Sequence, residues 1–345
     1  MALVLVLAAM LWVLGHALKM PIPARLIAIA LLYVAVLAVH IAFPIGHPLR
    51  EATGGSAGEW LVIGALGLVI WAYSKGLSRL RTHVRPENRV EATHASSSAE
   101  LERNARHIVL REIGGPGQKR LKQARVLVVG AGGLGSSALQ YLAAAGVGTI
   151  GVIDDDVVEN SNLQRQVIHT DARIGMPKVF SAEIAMKAQN PFVTVQPYNR
   201  RLTGDIAPEL FSDYDLVLDG TDDVETRYLV NEVAVKAGIP LVSAAISQWE
   251  GQISIFDHAK GGPCYRCVFP EPAAEDLAPS CAEGGVLGPL PGVVGAMMAV
   301  EAVKLLAGAG DPLIGRMMIY DAQHGDVRVI GVKRRPGCQT CGNAA

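Results

Sequence analysis

The sequence predicts an α/β protein with a Rossmann-like nucleotide-binding fold, which has a mainly parallel sheet and follows an N-terminal membrane segment. Three observations support this class: an apolar N-terminal fifth, a glycine-rich turn between two predicted strands, and two Cys-x-x-Cys pairs. The 345 residues, of which 50% are hydrophobic, suffice for one large α/β domain and a smaller unit. With 31 basic and 32 acidic residues the chain shows no pronounced basic signal, so we expect no nucleic-acid partner.

The N-terminal fifth of the chain is apolar and nearly free of charge. Residues 1–74 contain five charged side chains, and apolar runs cover residues 2–18, 26–43 and 60–73. The first two runs approach the ~20 residues that cross a bilayer. Aromatic residues flank the shorter third run, as they do at membrane interfaces. We therefore predict a membrane anchor of two to three transmembrane helices over residues 1–75.

The residues that flank these runs predict the membrane topology. A cleaved signal peptide is disfavoured because no Lys or Arg precedes the first run. Four basic residues between 75 and 85 follow the third run, and the positive-inside rule places them in the cytoplasm. The sequence thus predicts a multi-pass protein of the inner cell membrane, with residues 100–345 in the cytoplasm. Proline, polar residues and serines in 76–99 predict a flexible linker.

A nucleotide site is predicted where a buried strand meets the glycine-rich turn. Residues 126–135 read Val-Leu-Val-Val-Gly-Ala-Gly-Gly-Leu-Gly and precede an alanine-rich helix and a second strand ending at Asp154. Gly130 permits the tight turn, Gly132 lets the backbone approach phosphate, and Gly135 lets helix and strand pack closely. The helix amides and dipole then face an anion. Asp154, nineteen residues past Gly135, suits a ribose hydroxyl.

Polar residues follow successive strands of the predicted sheet. Asn162 and Arg165 lie in a polar stretch after the second strand, and Lys178 opens a helix. Arg165 and Lys178 could neutralise phosphate oxygens, and Asn162 could position a phosphate or the ribose. A further strand ends in Gly-Thr-Asp-Asp, where Asp222 or Asp223 could hold Mg²⁺ between phosphate oxygens. Any one of these charged residues could simply be a solvated charge in a loop. Because they occur together at the ends of successive strands, they favour a nucleotide-binding site.

The five cysteines of the chain suggest a metal site. Cys264 and Cys267 form one Cys-x-x-Cys pair, and Cys338 and Cys341 form the other. Two such turns can close a tetrahedral Zn²⁺ site, which would tie the C-terminal tail to the body of the domain. Redox activity of either pair, or four unrelated buried thiols, are the alternatives. Cys281 is the odd thiol, and its loop-like surroundings suit either an inert cysteine or a covalent relay.

A combination of motifs between residues 103 and 342 points to a known family. The motifs are Gly-Ala-Gly-Gly-Leu-Gly at 130–135, Ser-Asn-Leu-Gln-Arg-Gln at 161–166, Pro177-Lys178, Thr221-Asp222, Gly251-Gln252, the stretch from Gly285 to Pro289, and the two cysteine pairs. In this combination the chain resembles the MoeB/ThiF family, also called HesA/MoeB/ThiF, of ubiquitin-activating-enzyme-like adenylyltransferases. The resemblance implies a nucleotidyltransferase with a Rossmann-like ATP-binding fold and a zinc-bound C-terminal tail.

The resemblance also implies a reaction. Family members use ATP and Mg²⁺ to adenylate the C-terminal glycine of a ubiquitin-like sulfur-carrier protein ending in Gly-Gly, and they release pyrophosphate. A sulfurtransferase or another sulfur donor then converts the acyl-adenylate to a thiocarboxylate. We expect a MoaD-type carrier and molybdopterin biosynthesis. The alternatives are a ThiS-type carrier in thiamine biosynthesis and an activity like that of the tRNA-threonylcarbamoyl-adenosine dehydratases, against which the cysteine pairs argue. An NAD-dependent oxidoreductase is a further alternative, but its chemistry would not require Arg165, Lys178 and Asp222.

Roles for individual residues follow from the same resemblance. Arg106 matches a family arginine that reaches into the neighbouring subunit's site, which implies a homodimer. Cys281 lies where some members carry a cysteine proposed to link to the carrier. The chain departs from the family at 103–107, where Arg-Asn-Ala-Arg-His replaces Arg-Tyr-x-Arg-Gln, and in its apolar N-terminal segment. The implied ATP-binding residues are the glycines Gly130, Gly132, Gly133 and Gly135, then Asp154 at the ribose, Asn162, Arg165 and Lys178 at the phosphates, and Asp222 at Mg²⁺.

Overall fold

The computed structural model describes residues 2–18, 20, 22–44, 46–65, 97–272 and 284–342. The chain divides into two compact units, Met1–His94 and Ala95–Ala345.

The N-terminal unit is helical. Its helices are α1 (Ala2–Ala17), α2 (Ile22–Ala42), α3 (Pro48–Thr53) and α4, which comprises residues 57–65 of the described chain. Val4, Val36 and Trp60 are buried against one another. The Tyr33 hydroxyl donates a hydrogen bond of 2.8 Å to the Trp60 carbonyl, which ties α2 to α4.

The structure does not confirm the predicted transmembrane helices. Among the described residues, one helix is long and apolar enough to cross a bilayer, namely Pro289–Ala307, and half of it is buried inside the α/β unit. The apolar segments Val6–Gly15 and Ile27–Ala42 are shorter. Sixteen residues of α1 span roughly 24 Å, less than the ~30 Å hydrocarbon core. The third predicted run and the predicted linker extend into residues 66–96, outside the described part, so the anchor and the linker stay predictions.

The second unit is built on one eight-stranded sheet, and its α/β fold confirms the predicted class. The strand order is β3-β2-β1-β4-β5-β6-β7-β8. The first five strands in this order are parallel, while β6, β7 and β8 are antiparallel to their neighbours. The strands are β1 (Arg125–Val129), β2 (Thr149–Asp154), β3 (Thr194–Asn199), β4 (Leu216–Asp219), β5 (Leu241–Ile246), β6 (Glu250–Phe256), β7 (Arg316–Asp321) and β8 (Asp326–Gly331).

The antiparallel strands make the sheet mixed rather than mainly parallel throughout. A tight turn joins β5 to β6, and the Ser247 amide donates to the Glu250 carbonyl at 2.8 Å. A short turn can join only antiparallel neighbours, because parallel strands need a crossover of a dozen or more residues. The parallel part of the predicted, mainly parallel sheet is therefore β1 to β5, and the last three strands make the whole sheet mixed.

Helices cover both faces of the parallel part, which explains its continuous apolar strands. Val126 and Val128 of β1 pack on one face, while Leu127 and Val129 pack on the other. The helices of this unit are α5 (Ser98–Arg103), α6 (Ala105–Val109), α7 (Gly114–Gln123), α8 (Gly133–Ala144), α9 (Lys178–Gln189), α10 (Ala207–Ser212), α11 (Val224–Ala237), α12 (Tyr265–Val268) and α13 (Pro289–Ala307).

The strand order locates the crevice in which a ligand can bind. β1 lies between β2 and β4, so the chain leaves β1 toward one side of the sheet and returns on the other side after β3. In open α/β sheets such a reversal opens a crevice at the carboxyl ends of the strands. The glycine turn follows β1, and Thr221 and Asp222 follow β4, so both segments border this crevice.

Candidate functional site

A cavity of about 550 Å³ opens at the carboxyl ends of β1, β2 and β4. Its volume falls in the range of cavities that hold nucleotide-sized ligands. Most of the residues that the sequence singled out for nucleotide binding line it. These are Gly130, Gly132, Gly133, Asp154, Asn162, Arg165, Lys178 and Asp222.

The glycine turn shapes the wall of the cavity at the start of α8. Gly130 has φ +92°, a backbone conformation that side chains disfavour. Gly132 is the N-cap of α8 and has no side chain that could cap the helix. The free N–H groups and the dipole at this end therefore favour an anion such as a phosphate group. Gly135 lies behind the turn, where an added Cβ would come within 1.9 Å of the Gly130 carbonyl oxygen.

We expect Gly135→Ala to destabilise the domain by roughly 3 kcal/mol, because the new methyl group meets backbone that must shift. The matched variant Gly132→Ala has room, since the nearest atom to its Cβ is Gln166 Nε2 at 3.7 Å. Gly132→Ala should keep the melting temperature and weaken ATP binding. Thermal unfolding and nucleotide titration measure the two effects, and equal destabilisation by both variants would contradict the steric explanation.

Asp154 is held in place by backbone amides. One carboxylate oxygen accepts from Ala131 N at 2.7 Å, and the other accepts from Asp156 N at 2.8 Å. Burial raises the pKa of Asp154, while the Ala131 hydrogen bond and the charge of Lys178 act to lower it. Each oxygen keeps a further lone pair, so the fixed carboxylate can still accept a hydrogen bond from a ribose hydroxyl.

The cations of the site have partners in the protein. Lys178, the first residue of α9, is 5% exposed, and its Nζ lies 2.7 Å from a carboxylate oxygen of Asp156. Arg165 is half-buried and donates to the Ser161 carbonyl at 3.1 Å. Asn162 is buried and accepts from Glu159 N at 3.1 Å. The pairing of Lys178 with Asp156 holds a buried ammonium group at the cavity wall.

Both carboxylates after β4 that the sequence offered to Mg²⁺ line the cavity, but they differ in their partners and exposure. The Asp223 carboxylate caps α11 by accepting from Thr226 N at 3.1 Å, and it also pairs with Arg201 at 3.0 Å. Its hydrogen bond with the Thr226 hydroxyl is the main cause that lowers the pKa of Asp223. Asp222 is exposed and lines the cavity. Of the two carboxylates, that of Asp222 is therefore the more available to a hard cation.

Sequence reasoning missed several residues of this cavity. Arg200 and Arg201 follow β3 and line the cavity. Their place at the same sheet edge as Asp154 was the available signal. Arg227 also lines the cavity, but it lies within α11, where no local pattern marks it.

His169 is a further missed residue, and it supports the glycine turn from behind. Its Nε2 donates to the Ala131 carbonyl at 3.0 Å, and its Nδ1 accepts from the Ser181 hydroxyl at 2.9 Å. Burial is the main cause that lowers the pKa of His169, which favours the neutral ring. His169 thus connects the turn to α9, the helix that begins with Lys178.

Two predicted residues are not among the described residues that line the cavity. Arg106 is exposed on α6 and, within the part of the chain that the structure describes, does not line the cavity. Its predicted role requires a second subunit and stays a prediction. Cys281 lies outside the described residues, so its predicted role as a covalent relay is also still a prediction.

The two cysteine pairs come together as one buried cluster. The sulfur atoms of Cys264, Cys267, Cys338 and Cys341 all lie within 4.8 Å of one another. Sulfur–sulfur separations are 3.8 Å for Cys264–Cys267, 3.6 Å for Cys264–Cys338 and 3.4 Å for Cys267–Cys341. A tetrahedral zinc site with Zn–S of about 2.3 Å has sulfur separations of about 3.8 Å. The donor set and its spacing therefore fit Zn²⁺.

Hydrogen bonds favour a thiolate at Cys338, whereas burial raises the pKa values of Cys264 and Cys341. Burial raises the pKa of Cys338, but backbone hydrogen bonds from Cys341 and Thr340 outweigh it and lower the pKa to about 7. Burial beside Cys267 raises the pKa of Cys264. A bound cation would stabilise thiolates at all four positions, since metal binding deprotonates a coordinating thiol.

Comparisons with known proteins agree with this geometry. A model of the ThiF family matches residues 104–340. The sulfur carrier protein adenylyltransferase of Thermus thermophilus is 50% identical over 248 residues, which cover 71% of this chain and 92% of that relative. The probable adenylyltransferase/sulfurtransferase MoeZ of Mycobacterium tuberculosis is 50% identical over 250 residues, which cover 72% of this chain but 64% of MoeZ.

The solved structures show a similar fold. A crystal structure of E. coli MccB with MccA-N7isoASN has a TM-score of 0.62 and 22% sequence identity, and the match covers 72% of this chain and 76% of that chain.

Proposed function

The chain belongs to the ThiF family, and from this premise we propose that it uses ATP to adenylate the C-terminal glycine of a ubiquitin-like sulfur-carrier protein. One observation supports this most directly: a glycine turn, the Asp154 carboxylate that is predicted to bind the ribose, buried and half-buried cations and an exposed carboxylate line a single cavity. The 50% identical relative is a sulfur carrier protein adenylyltransferase, and it is matched over nearly its whole length.

The reaction requires stabilisation of phosphate charge rather than proton transfer. A carboxylate oxygen of the carrier attacks the α-phosphorus of ATP, a new oxygen–phosphorus bond forms, and the bond to pyrophosphate breaks. The carrier carboxylate is already ionised at neutral pH, so no general base is needed. Negative charge gathers on the phosphate oxygens, and Lys178 and Arg165, which line the cavity, would stabilise it. Asp222 would hold Mg²⁺, which supplies further charge neutralisation at the phosphates.

Lys178 can donate hydrogen bonds to phosphate oxygens while it keeps its ion pair with Asp156. Its ammonium group has three donors, and one of them reaches Asp156 at 2.7 Å. Because the Asp156 side chain is 66% exposed, water rather than buried protein solvates its other lone pairs. The Asp156 carboxylate therefore orients Lys178 while two donors remain for a ligand in the cavity.

We propose a MoaD-type carrier, and hence molybdopterin biosynthesis, with a ThiS-type carrier of thiamine biosynthesis as the alternative. A separate sulfur donor would act on the acyl-adenylate. The chain spans 64% of MoeZ, a relative whose name includes a sulfurtransferase activity. An activity on a tRNA-bound carboxylate, as in the tRNA-threonylcarbamoyl-adenosine dehydratases, is less well supported, because the relative matched over most of its length is named for a sulfur carrier protein.

Carrier-dependent ATP–pyrophosphate exchange tests the proposal. The detergent-purified full chain is incubated with Mg²⁺, ATP and labelled pyrophosphate, in separate reactions with a MoaD-type carrier and a ThiS-type carrier. Exchange with the MoaD-type carrier supports the proposal, and exchange with the ThiS-type carrier alone moves the protein to the thiamine pathway. A carrier that lacks its terminal Gly-Gly is the control. If ATP binds but neither carrier supports exchange, the adenylyltransferase proposal is wrong.

We propose, in addition, that the N-terminal unit anchors the protein in the inner cell membrane with residues 100–345 in the cytoplasm. Apolar side chains on the outside of its helices support this: Val13, Leu31 and Ile41 are 66%, 65% and 74% exposed. Clusters of exposed apolar side chains mark contacts with lipid or protein. When native membranes are washed with alkaline carbonate, the full chain should stay in the membrane fraction. Detergent should then release it. Release by carbonate alone would contradict the anchor.

We also propose a homodimer, since the predicted role of Arg106 requires a second subunit. Sedimentation velocity of the detergent-solubilised chain measures this directly. A monomer at micromolar concentration would contradict the role predicted for Arg106.

A further inference from the structure

We propose that Arg227 is a positioning residue that fixes the loop bearing Asp222, and thereby sets the affinity of the site for magnesium–nucleotide. The inference rests on the proposed function, since Asp222 is the ligand that Mg²⁺ would use there. Arg227 is 6% exposed, yet it lines the cavity between α11 and the ends of β4 and β5. No sequence pattern singles it out.

The Arg227 guanidinium connects three segments of chain. One nitrogen donates to the Ala244 carbonyl at 2.8 Å and to the Ser243 hydroxyl oxygen at 3.2 Å, both on β5. The same nitrogen lies 3.4 Å from the Asp219 carboxylate at the end of β4. The other terminal nitrogen donates to the carbonyl of Thr221, the residue immediately before Asp222. A planar fork with five N–H donors can meet acceptors in these different directions.

Asp219 holds Thr221 from the other side. We call Arg227 and Asp219 together the Thr221 clamp. The Asp219 side chain is fully buried, and it accepts from Thr221 N at 3.1 Å and from the Ser243 hydroxyl at 3.0 Å. The N–H of Thr221 is therefore held by Asp219, and its carbonyl is held by Arg227. Next to it, Gly220 N donates to the Val129 carbonyl at 3.0 Å, which ties the loop to β1.

The buried ion pair of Arg227 and Asp219 is a poor source of stability for the fold, but it is an effective means of positioning the loop that bears Asp222. Two buried charges lose their hydration, and burial raises the pKa of Asp219 although the charge of Arg227 acts to lower it. A buried ion pair is thus weak evidence for stability by itself. Two of its hydrogen bonds instead hold the amide and the carbonyl of Thr221, one peptide away from the exposed carboxylate of Asp222. Partners that orient a metal ligand from behind change metal affinity when they are removed.

Arg227 differs in this respect from the phosphate-binding cations proposed above. Its guanidinium donates its hydrogen bonds to acceptors of the protein, at Thr221, Ser243 and Ala244. Arg165 and Lys178 each have donors left for a ligand. Arg227 is therefore expected to act on nucleotide binding through the loop and through Mg²⁺ rather than by direct contact with phosphate.

The test removes both buried charges together. Arg227→Met alone would leave the Asp219 carboxylate buried without its partner, so Asp219→Asn/Arg227→Met is the informative variant. The carbonyl oxygen of the introduced asparagine can still accept from Thr221 N, while the hold on the Thr221 carbonyl is lost. Two titrations of the full chain with a fluorescent ATP analogue, one in EDTA and one over a range of Mg²⁺ concentrations, are the readout, together with thermal unfolding.

We expect the double variant to need about tenfold more Mg²⁺ for half-maximal tight binding, with unchanged affinity in EDTA and a folded domain. Arg227→Lys should shift the Mg²⁺ requirement in the same direction, because a single ammonium group cannot bridge the three segments. Lys236→Met is the control on the same helix, since Lys236 is exposed and pairs with Glu232 on the surface.

Two outcomes would overturn the inference. An unchanged Mg²⁺ requirement in the folded double variant would show that the Thr221 clamp does not position Asp222. An equal loss of affinity in EDTA would show that Arg227 acts on the nucleotide itself. Both titrations measure binding without any carrier, so a failure of the adenylyltransferase proposal in the exchange assay is a separate result.

Discussion

Lys178→Met should lower the rate of carrier-dependent ATP–pyrophosphate exchange by about 100- to 1000-fold, the loss that follows removal of one preorganised donor to a transition-state anion. Lys178 is buried at the cavity wall, so its charge acts where water screens it least. Methionine has a similar length and no charge. The Asp156 carboxylate that loses its partner is 66% exposed, so no buried charge is left unpaired and the fold should survive.

The control for this variant lies on the same helix. Lys187→Met removes an exposed lysine of α9 that pairs with Glu183, and it should leave the exchange rate unchanged. Exchange rates at saturating ATP and carrier, with melting temperatures for both variants, complete the measurement. If Lys178→Met keeps a rate within about threefold of the unmodified protein, well short of the loss expected on removal of a preorganised donor, Lys178 is not part of the phosphate site.

Loss of the Zn²⁺ ion that we propose at the cysteine cluster should have the largest effect on stability. Cys338→Ser removes one of the four buried cysteines that would hold this ion, and with it a link between the C-terminal tail and Cys264 and Cys267. A loss of about 4 kcal/mol, the size seen when a structural metal is lost, would lower the melting temperature of a domain of this size by roughly 8–16 °C. Prolonged treatment with a zinc chelator should produce the same shift, because binding free energy at a structural site contributes to folding.

Metal analysis and thermal unfolding test this prediction together. The unmodified chain should contain one zinc per chain, and Cys338→Ser should contain little. Cys281→Ser is the control for the loss of one thiol, and it should keep both the zinc content and the melting temperature. A zinc-free protein with an unchanged melting temperature would contradict the structural role of the cluster. Because the cluster does not line the nucleotide cavity, ATP binding should outlast zinc removal at temperatures where the domain stays folded.

Local patterns predicted much of the candidate site. The glycine turn and Asp154 were found because a strand, a tight turn and a helix impose fixed residue types within about thirty positions. Parallel strands place their carboxyl ends at one edge, which brought Asn162, Lys178 and Asp222 to the same cavity. The cysteine pairs could also be predicted from the sequence, since each supplies two thiols across a short turn.

Other features depended on contacts that no local pattern records. The antiparallel strands β6 to β8 were not expected, because strand direction is set by the connections between strands rather than by residue type. The apolar N-terminal runs predicted spanning helices, whereas the apolar helix that meets the length of a bilayer among the described residues is α13, a helix of the domain core. Hydropathy alone does not distinguish lipid from a protein interior.

By itself, then, the sequence determined the fold class, the position of the nucleotide turn and the residue types available for phosphate and metal. The periodic pattern of apolar residues and the local backbone geometry of turns carry that information. Only the tertiary structure paired Asp223 with Arg201 and so distinguished it from the exposed Asp222, whereas the cap that Asp223 forms on α11 is a contact between near neighbours in sequence. The tertiary structure alone paired Lys178 with Asp156 and closed Arg227 and Asp219 around Thr221. A side chain's partners are set by segments distant in sequence, and folding alone brings those segments together.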